Sequence, residues 1–367
     1  MAQTASKSAT MSGYQQTHRI TDMQDKAVLL VNLGSPEAPE IPQVRQYLKQ
    51  FLMDPYVIQV PWLLRAIIVY LLVLPKRPAA SAHAYQSIWT DQGSPLIVLS
   101  RQLQKALQTR TDRPVRLAMR YGEPSIESQL CELAAEENIA DVLVIPLYPQ
   151  FAESTVSTVV EEVKRSIRDR QLGLTYSVLP PFYNNGSYIK ALVDSSSEQL
   201  KQPFDHVLFS YHGLPELHIT RADPTGSHCL KSDNCCSMPS PAHATCYRHQ
   251  VISTTQAFVK EAGLEDSQYS IAYQSRLGRA KWLEPSTEET LVKLAQQGVK
   301  RLVVLCPAFV TDCLETLEEI KLQGRETFLQ AGGEELIYLP CLNDNPAWVD
   351  CLADWIGNSV LSDTVMT

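Results

Sequence analysis

The chain has 367 residues, enough for two domains of ordinary size. It is 44% hydrophobic and 20% charged, as globular proteins are, and its net charge of −8 argues against a nucleic-acid-binding protein, which carries a basic patch. The first 25 residues are polar, so we expect a disordered tail over 1–25 and no secretory signal. Without export, the nine cysteines indicate reduced thiols, catalytic groups or metal ligands rather than disulfides.

Apolar strand-like segments alternate with amphipathic segments along the chain. Strands are expected at 26–34, 115–121, 141–149, 174–181, 204–213, 269–275, 300–309 and 335–340. Helices are expected at 41–53, 95–109, 124–137, 154–170, 186–201, 249–263, 286–297 and 313–330. Strands that are apolar throughout and alternate with helices predict parallel sheets covered on both faces.

A faint internal repeat supports a two-domain organisation. The segments DVLVIPLYPQFAESTVSTVVEE and KRLVVLCPAFVTDCLETLEEI both run from strand to proline, aromatic residue, loop and acidic helix. The pattern predicts an α/β fold with two similar Rossmann-like domains, each a parallel four-stranded sheet flanked by helices. We expect an N-terminal domain over 26–185, a C-terminal domain over 186–358 and a tail over 359–367.

The longest apolar run is VIQVPWLLRAIIVYLLVLP, residues 57–75, and it contains Pro61 and Arg65. Only about 13 residues separate Pro61 from Pro75, whereas a membrane span needs about 20 residues. Two interpretations stay open. The run forms either a buried helix or an apolar lip over 57–80 that rests on a bilayer surface.

Two predicted strand ends carry groups suited to chemistry. In SYHGLP, His212 ends a strand where ligands of parallel sheets bind, although a lone histidine is more often structural. In CPAFVTDCLETLEEI, Glu315 and Glu319 are four residues apart and share one helix face. Exposure to solvent accounts for Glu318, whereas Glu315 and Glu319 could form a pair that faces a cleft. Carboxylates near an imidazole suit a divalent cation such as Fe²⁺.

Two further segments have both a structural and a functional interpretation. Arg120 and Tyr121 leave a strand together in AMRYGEPSIES, where the arginine either clamps a carboxylate or forms a surface salt bridge. Trp282, in AYQSRLGRAKWLEPSTEE, either packs in the core or presents a flat wall to a planar ligand. Ser286 or Thr287 is placed to cap the helix that follows.

Six segments occur in the order found in ferrochelatases: VNLGSPE, MRYGEPSIES, LYPQFAESTVST, SYHGLP, YQSRLG…WLEPSTEE and FVTDCLETLEEI. The chain resembles this family over residues 26–358. The resemblance implies insertion of ferrous iron, as substrate, into protoporphyrin IX to form protohaem, the terminal step of haem biosynthesis. The alternatives are a chelatase that uses coproporphyrin or inserts cobalt, and a haem- or metal-binding protein without turnover.

The resemblance also implies roles for individual residues. His212 and Glu315 would be catalytic and would contact the iron together with Glu319. The porphyrin would be bound by Arg120, Tyr121, Tyr148 and Trp282. A cytoplasmic protein is implied, with peripheral contact between the lip and the inner face of the cytoplasmic membrane. Assembly as a homodimer is left open.

Two positions depart from relatives of this kind. Cys313 stands where some relatives carry a histidine, which leaves its part in metal delivery undecided. Glu153 stands where cluster-containing animal enzymes carry a cysteine, so a cluster of that arrangement is excluded.

The segment HCLKSDNCCSMPSPAHATC places four cysteines within 18 residues: Cys229, Cys235, Cys236 and Cys246. The count suits a Cys₄ [2Fe–2S] cluster or a Cys₄ zinc site, and unliganded thiols are the third option. Adjacent cysteines are awkward for zinc, although His228, His243 and His249 could substitute as ligands there. The segment resembles bacterial ferrochelatases that hold a [2Fe–2S] cluster within a short internal stretch, so we expect that cluster.

Overall fold

The computed structural model describes residues 26–276, 278 and 280–357, so the tails expected at 1–25 and 359–367 lie outside the described residues. Strands β1 to β4 are Lys26–Gly34, Val115–Tyr121, Asp141–Pro146 and Thr175–Val178. Strands β5 to β8 are His206–His212, Tyr269–Gln274, Arg301–Leu305 and Glu335–Tyr338. Each of these strands lies within one of the predicted segments.

The strands form two parallel four-stranded sheets with the same order, β2-β1-β3-β4 and β6-β5-β7-β8. The central strands are apolar because both of their faces are covered by helices, and residues 27–31 of β1 are fully buried. The predicted α/β fold with two parallel sheets is therefore confirmed.

Helices α1 to α6 are Ile41–Leu52, Trp62–Ile67, Arg77–Ile88, Pro95–Gln108, Ile126–Ala134 and Thr158–Asp169. Helices α7 to α13 are Gly186–Leu200, Glu216–Arg221, Tyr247–Ala262, Thr287–Gln296, Leu314–Thr316, Arg325–Gln330 and Pro346–Gly357. Their starts follow local chemistry, because Ser125, Asn185 and Ser286 each accept a hydrogen bond from a backbone N–H of the first turn. The Ser286 cap agrees with the sequence.

The helix predicted over 313–330 is interrupted. Between α11 and α12, residues Leu317–Gly324 form a π-helix. The wider turn brings Gly324 against the carbonyl oxygen of Glu319, where an added Cβ would approach to 3.2 Å. The sequence pattern of spaced acids fits an α-helix and gave no sign of the wider turn.

The apolar run at 57–75 lies at the surface. Helix α2 continues as a π-helix over Ile68–Val73, and in the stretch 62–74 only Arg65, Val69 and Leu74 are buried. The exposed large apolar side chains are Trp62, Leu63, Leu64, Ile67, Tyr70, Leu71 and Leu72. The buried-helix interpretation is therefore wrong. No helix in the described ranges has the length and apolarity needed to cross a membrane.

Candidate active site

A cavity of about 420 Å³ lies at the carboxyl ends of β1, β3, β5 and β7, between the two sheets. Its wall is mostly apolar and includes residues from α1, the loop at 57–60 and the loops after the four strands. The cavity brings together His212, Glu315, Tyr148 and Trp282, four of the residues predicted from the sequence. It lies where ligands of parallel α/β sheets bind.

His212 is the last residue of β5, and its ring orientation is fixed by the backbone. Its Nδ1 lies 2.6 Å from the carbonyl oxygen of Gly213, an acceptor, so Nδ1 carries a proton and donates it to this bond. Gly213 admits no side chain, because an added Cβ would lie 2.7 Å from the Gln274 carbonyl oxygen. The strand end thus presents an imidazole whose Nδ1 is engaged, so Nε2 is the nitrogen that could act as a base or metal ligand.

Glu315 reaches the cavity from α11, on the loop that follows β7. This loop is anchored by Asp312, a buried carboxylate that accepts hydrogen bonds from Thr316, Tyr338 and Asn343. The backbone N–H of Cys313 also donates to Thr316 Oγ1 over 3.0 Å. The acid is therefore held by a rigid loop in the cavity that His212 also lines.

Glu319 lies behind the cavity wall and is held by Ser275. Its carboxylate accepts hydrogen bonds from the Ser275 hydroxyl and, over 2.7 Å, from the Ser275 backbone N–H. Burial raises the pKa of Glu319, and the nearby Glu315 charge adds to this, while Ser275 and His212 oppose it. The two acids thus differ, because Glu315 lines the cavity while Glu319 is engaged with Ser275.

Tyr148 and Trp282 both contribute to the wall. The Tyr148 hydroxyl is buried and has no hydrogen-bond partner among the described residues, and the same holds for Thr311 Oγ1. A buried hydroxyl without a partner is costly unless a ligand supplies one. Trp282 is fixed against the His212 segment by a bridge to Pro215. The unpartnered Tyr148 hydroxyl and the placement of Trp282 in the wall are both consistent with a ligand that binds in the cavity.

Arg120 and Tyr121 do not lie in the described cavity wall. Arg120 forms an ion pair with Asp54 at 2.6 Å and donates to Thr158 Oγ1 over 2.7 Å. Tyr121 donates to the same Asp54 carboxylate over 2.9 Å, and its ring packs against Phe51 of the wall. The two residues therefore form a layer behind the wall, and this placement gives no support to direct porphyrin contact.

Two residues that the sequence did not single out also line the cavity. His218 lies on α8, and burial, with the Arg221 charge, lowers its pKa to about 4, so the imidazole is neutral near pH 7. Tyr247 is the first residue of α9, and its hydroxyl donates to the His212 carbonyl oxygen over 2.8 Å. The signal for His218 was its place in HGLPELH, six residues after His212.

The four cysteines of the insert lie together and are buried. The Cys235 and Cys236 sulfurs are 4.0 Å apart, and the thiols of Cys229 and Cys236 each hydrogen bond to that of Cys246. The Arg248 guanidinium donates to the Cys235 sulfur over 3.7 Å. Within 26–276, 278 and 280–357, no group of three or more His, Cys, Asp or Glu could hold a metal ion as arranged.

Comparisons with known proteins agree on one family. A family model described as "Ferrochelatase" matches residues 25–360. A protein named ferrochelatase from Ectopseudomonas mendocina (strain ymp) is 58% identical over 332 residues, covering 90% of this chain and 97% of its own. One from Azotobacter vinelandii (strain DJ / ATCC BAA-1303) is 57% identical over 333 residues, covering 90% and 98%.

A likeness to solved structures concerns the fold alone. The structure of SirB from Bacillus subtilis with Fe³⁺ aligns with a TM-score of 0.52 at 13% identity. The alignment covers 91% of this chain and 97% of that one. It agrees with the paired parallel sheets described above.

Proposed function

The chain belongs to the ferrochelatase family, and on that premise we propose that it inserts Fe²⁺ into protoporphyrin IX to form protohaem, the terminal step of haem biosynthesis. The observation that carries the proposal is that His212, at the end of β5, and Glu315, on the loop after β7, line one apolar cavity. A flat apolar ring with a polar centre needs such walls together with a base and a metal ligand.

His212 would accept the pyrrole protons. A metal-free porphyrin loses two N–H protons as the dication enters, so the reaction needs an acceptor at the ring nitrogens. Because Nδ1 already donates its proton to the Gly213 carbonyl oxygen, Nε2 is the ring nitrogen of His212 that would take a proton. Each proton accepted there can pass to solvent before the next, so the ring returns to its starting state.

Glu315 would hold the incoming Fe²⁺ or stabilise the protonated His212. A carboxylate and an imidazole bind Fe²⁺ without the strong retention that thiolates give. Glu319 would act from behind the wall, through its bonds to Ser275 and its charge beside His212. Tyr148 and Trp282 would contact the porphyrin, whereas Arg120 and Tyr121 would support the wall through Asp54.

The test is metal insertion followed by porphyrin absorbance, with protoporphyrin IX or coproporphyrin and with Fe²⁺ or Co²⁺. We expect Fe²⁺ and protoporphyrin IX to be the preferred pair. Glu315→Gln should lower kcat at least about 100-fold. The control, Glu318→Gln, changes an acid of the π-helix that follows α11; it accepts a hydrogen bond from Gln323 and lies outside the cavity wall, so the change should have no effect. Tight haem binding without insertion would instead favour a non-catalytic haem-binding protein.

The four cysteines would hold a [2Fe–2S] cluster. The support is the donor set, four buried thiols from one segment with a short contact between Cys235 and Cys236 and a shared partner in Cys246. When bound, such a cluster supplies rigid cross-links and a one-electron redox centre. The hydrogen bond from Arg248 to Cys235 is of the kind that tunes cluster potentials.

The cluster is tested by the visible spectrum and the iron and sulfide content of anaerobically purified protein. We expect two irons and two sulfides per chain, lost in Cys236→Ser and retained in Cys131→Ser, which changes a cysteine on α5. Colourless protein with one zinc per chain would assign the cysteines to zinc, and protein without metal would leave them as thiols.

The exposed apolar surface at 62–72 would rest on the cytoplasmic face of the membrane. Trp62, Leu63 and Leu71 are each about two thirds exposed, and exposed apolar patches of this kind mark interaction surfaces. The patch borders the loop at 57–60 that lines the cavity, so an apolar porphyrin could enter directly from lipid. The domain boundary between 185 and 186 and the homodimer remain predictions without further support.

A further inference from the structure

Tyr247 connects the cavity to the cysteine segment by sequence and by contact. It directly follows Cys246, and it forms part of the cavity wall. Its hydroxyl donates to the His212 carbonyl oxygen over 2.8 Å, and the side chain is only 5% exposed.

The bond from Tyr247 completes a clamp on one peptide unit. The N–H of Gly213 donates to the Gln274 carbonyl oxygen over 2.7 Å, while the carbonyl of His212, in the same peptide unit, accepts from Tyr247. The imidazole Nδ1 is bonded to the next carbonyl, that of Gly213. Because both sides of the peptide are held, the direction of Nε2 depends on both bonds.

The position of Tyr247 depends in turn on the cysteine segment. Cys246 is the N-cap of α9, and its sulfur accepts the His249 N–H over 3.5 Å while contacting the thiols of Cys229 and Cys236. Thr245, one residue earlier, donates from Oγ1 to the Ala222 carbonyl oxygen over 2.5 Å. The first turn of α9 is thus fixed by the segment that carries the cysteines.

We propose that Tyr247 is a positioning residue that holds the His212–Gly213 peptide and makes the orientation of the His212 imidazole depend on the integrity of the cysteine segment. The inference rests on the proposed role of His212, but it does not depend on which metal, if any, the cysteines bind. Any event that displaces Cys246 would move Tyr247 and release the clamp.

Tyr211 offers a matched control. It is also fully buried, and its hydroxyl bonds to Thr255 Oγ1 at 2.8 Å, so it too joins β5 to α9. Its bond does not touch the His212 carbonyl. Tyr211→Phe and Tyr247→Phe therefore each remove one buried hydroxyl, and the two hydrogen bonds that are lost have the same length. Only the change at 247 removes the bond to the His212 carbonyl oxygen.

The first experiment compares Tyr247→Phe and Tyr211→Phe with wild type in Fe²⁺ insertion. Tyr247→Phe should lower kcat about tenfold and change KM for the porphyrin less than about twofold, because the wall keeps its ring. Tyr211→Phe should leave both constants within about twofold of wild type. Equal effects of the two changes would overturn the inference. Wild-type protein without insertion activity would instead refute the proposed function.

The second experiment measures deuterium uptake of the peptide that contains His212 and Gly213, so it does not depend on turnover. Uptake should rise in Tyr247→Phe and not in Tyr211→Phe. Cys246→Ser alone should raise the uptake of this peptide, but the double variant Cys246→Ser/Tyr247→Phe should show no more uptake than Tyr247→Phe alone. Residues 206–210 are the internal control for global unfolding. An equal further rise in the Tyr247→Phe background would show that the coupling bypasses Tyr247.

Discussion

The two sheets share their strand order and the turns after their edge strands. GEPS follows β2 and LEPS precedes α10, and each contains a cis Glu–Pro peptide and a serine that caps the next helix. The proline carbonyls also take matching bonds, from the Met119 N–H in the first sheet and the Tyr273 N–H in the second. The two halves thus share their strand order and this turn, although the residues at their strand ends have different roles.

The polar residues at the two edge-strand ends show the difference. At the end of β2, Arg120 and Tyr121 bind Asp54, whose side chain is 1% exposed, and stabilise the scaffold. At the end of β6, Gln274 donates to the Glu315 carbonyl oxygen and Ser275 to the Glu319 carboxylate. The first half therefore contributes mainly walls, and the second half holds the groups that would do the chemistry.

The largest effect should follow removal of the imidazole in the second half. His212→Ala is expected to lower kcat by about 10²–10⁴-fold, the usual contribution of a general base, while porphyrin binding persists. The control is His206→Gln, at the other end of β5, where Nε2 bonds to Ser270 outside the cavity. Metal insertion at the wild-type rate by His212→Ala would remove the histidine from the proposed mechanism.

The corresponding strand end in the first half should matter for stability instead. Arg120→Ala leaves the buried Asp54 carboxylate unpaired, so the free energy of unfolding should fall by about 3 kcal/mol. Denaturant unfolding measures this, and Arg116→Ala, which breaks a half-exposed pair with Glu136, is the control with an expected loss below about 1 kcal/mol. A raised porphyrin KM with unchanged stability would instead restore the porphyrin-clamp interpretation.

The sequence was sufficient for some features and not for others. All eight strands of the two sheets, and the presence of His212 and Glu315 in one cavity, followed from apolar runs and strand ends, because parallel strands end at one edge. The role of Arg120 could not be predicted, because its partner Asp54 is 66 residues away. The exposure of the lip could not be predicted either, because an apolar run has the same sequence pattern whether it packs in the core or faces solvent.

The apolar lip of the first half should control membrane binding without affecting the chemistry. Replacing Trp62 and Leu71 with aspartate should lower binding to anionic lipid vesicles more than tenfold, because each side chain would otherwise bury apolar area in lipid. Leu322→Asp changes an exposed leucine of the second half and should not alter binding. Vesicle flotation measures both, and equal binding by all variants would contradict the membrane assignment.

The smallest effect concerns His218 in the wall of the second half. Its pKa is lowered from 6.5 to about 4, so the unfolded chain takes up this proton more readily than the folded protein. Its contribution to stability is therefore fully present above pH 6.5 and is lost as the pH falls through about 4. When the pH is lowered from 6.5 to 4, the free energy of unfolding of His218→Gln should fall by about 1 kcal/mol less than that of the wild type. This difference allows for screening by solvent, because the side chain is only partly buried. The exposed His83→Gln should match wild type.

The most direct measurement is a structure of the protein with metal-free protoporphyrin bound. We expect the ring to lie between the two sheets, with its nitrogens facing His212 Nε2 and Glu315 and its edge near Tyr148 and Trp282. A porphyrin bound outside this cavity, or one in the cavity with its nitrogens facing the first-half wall, would contradict the division of roles between the two halves.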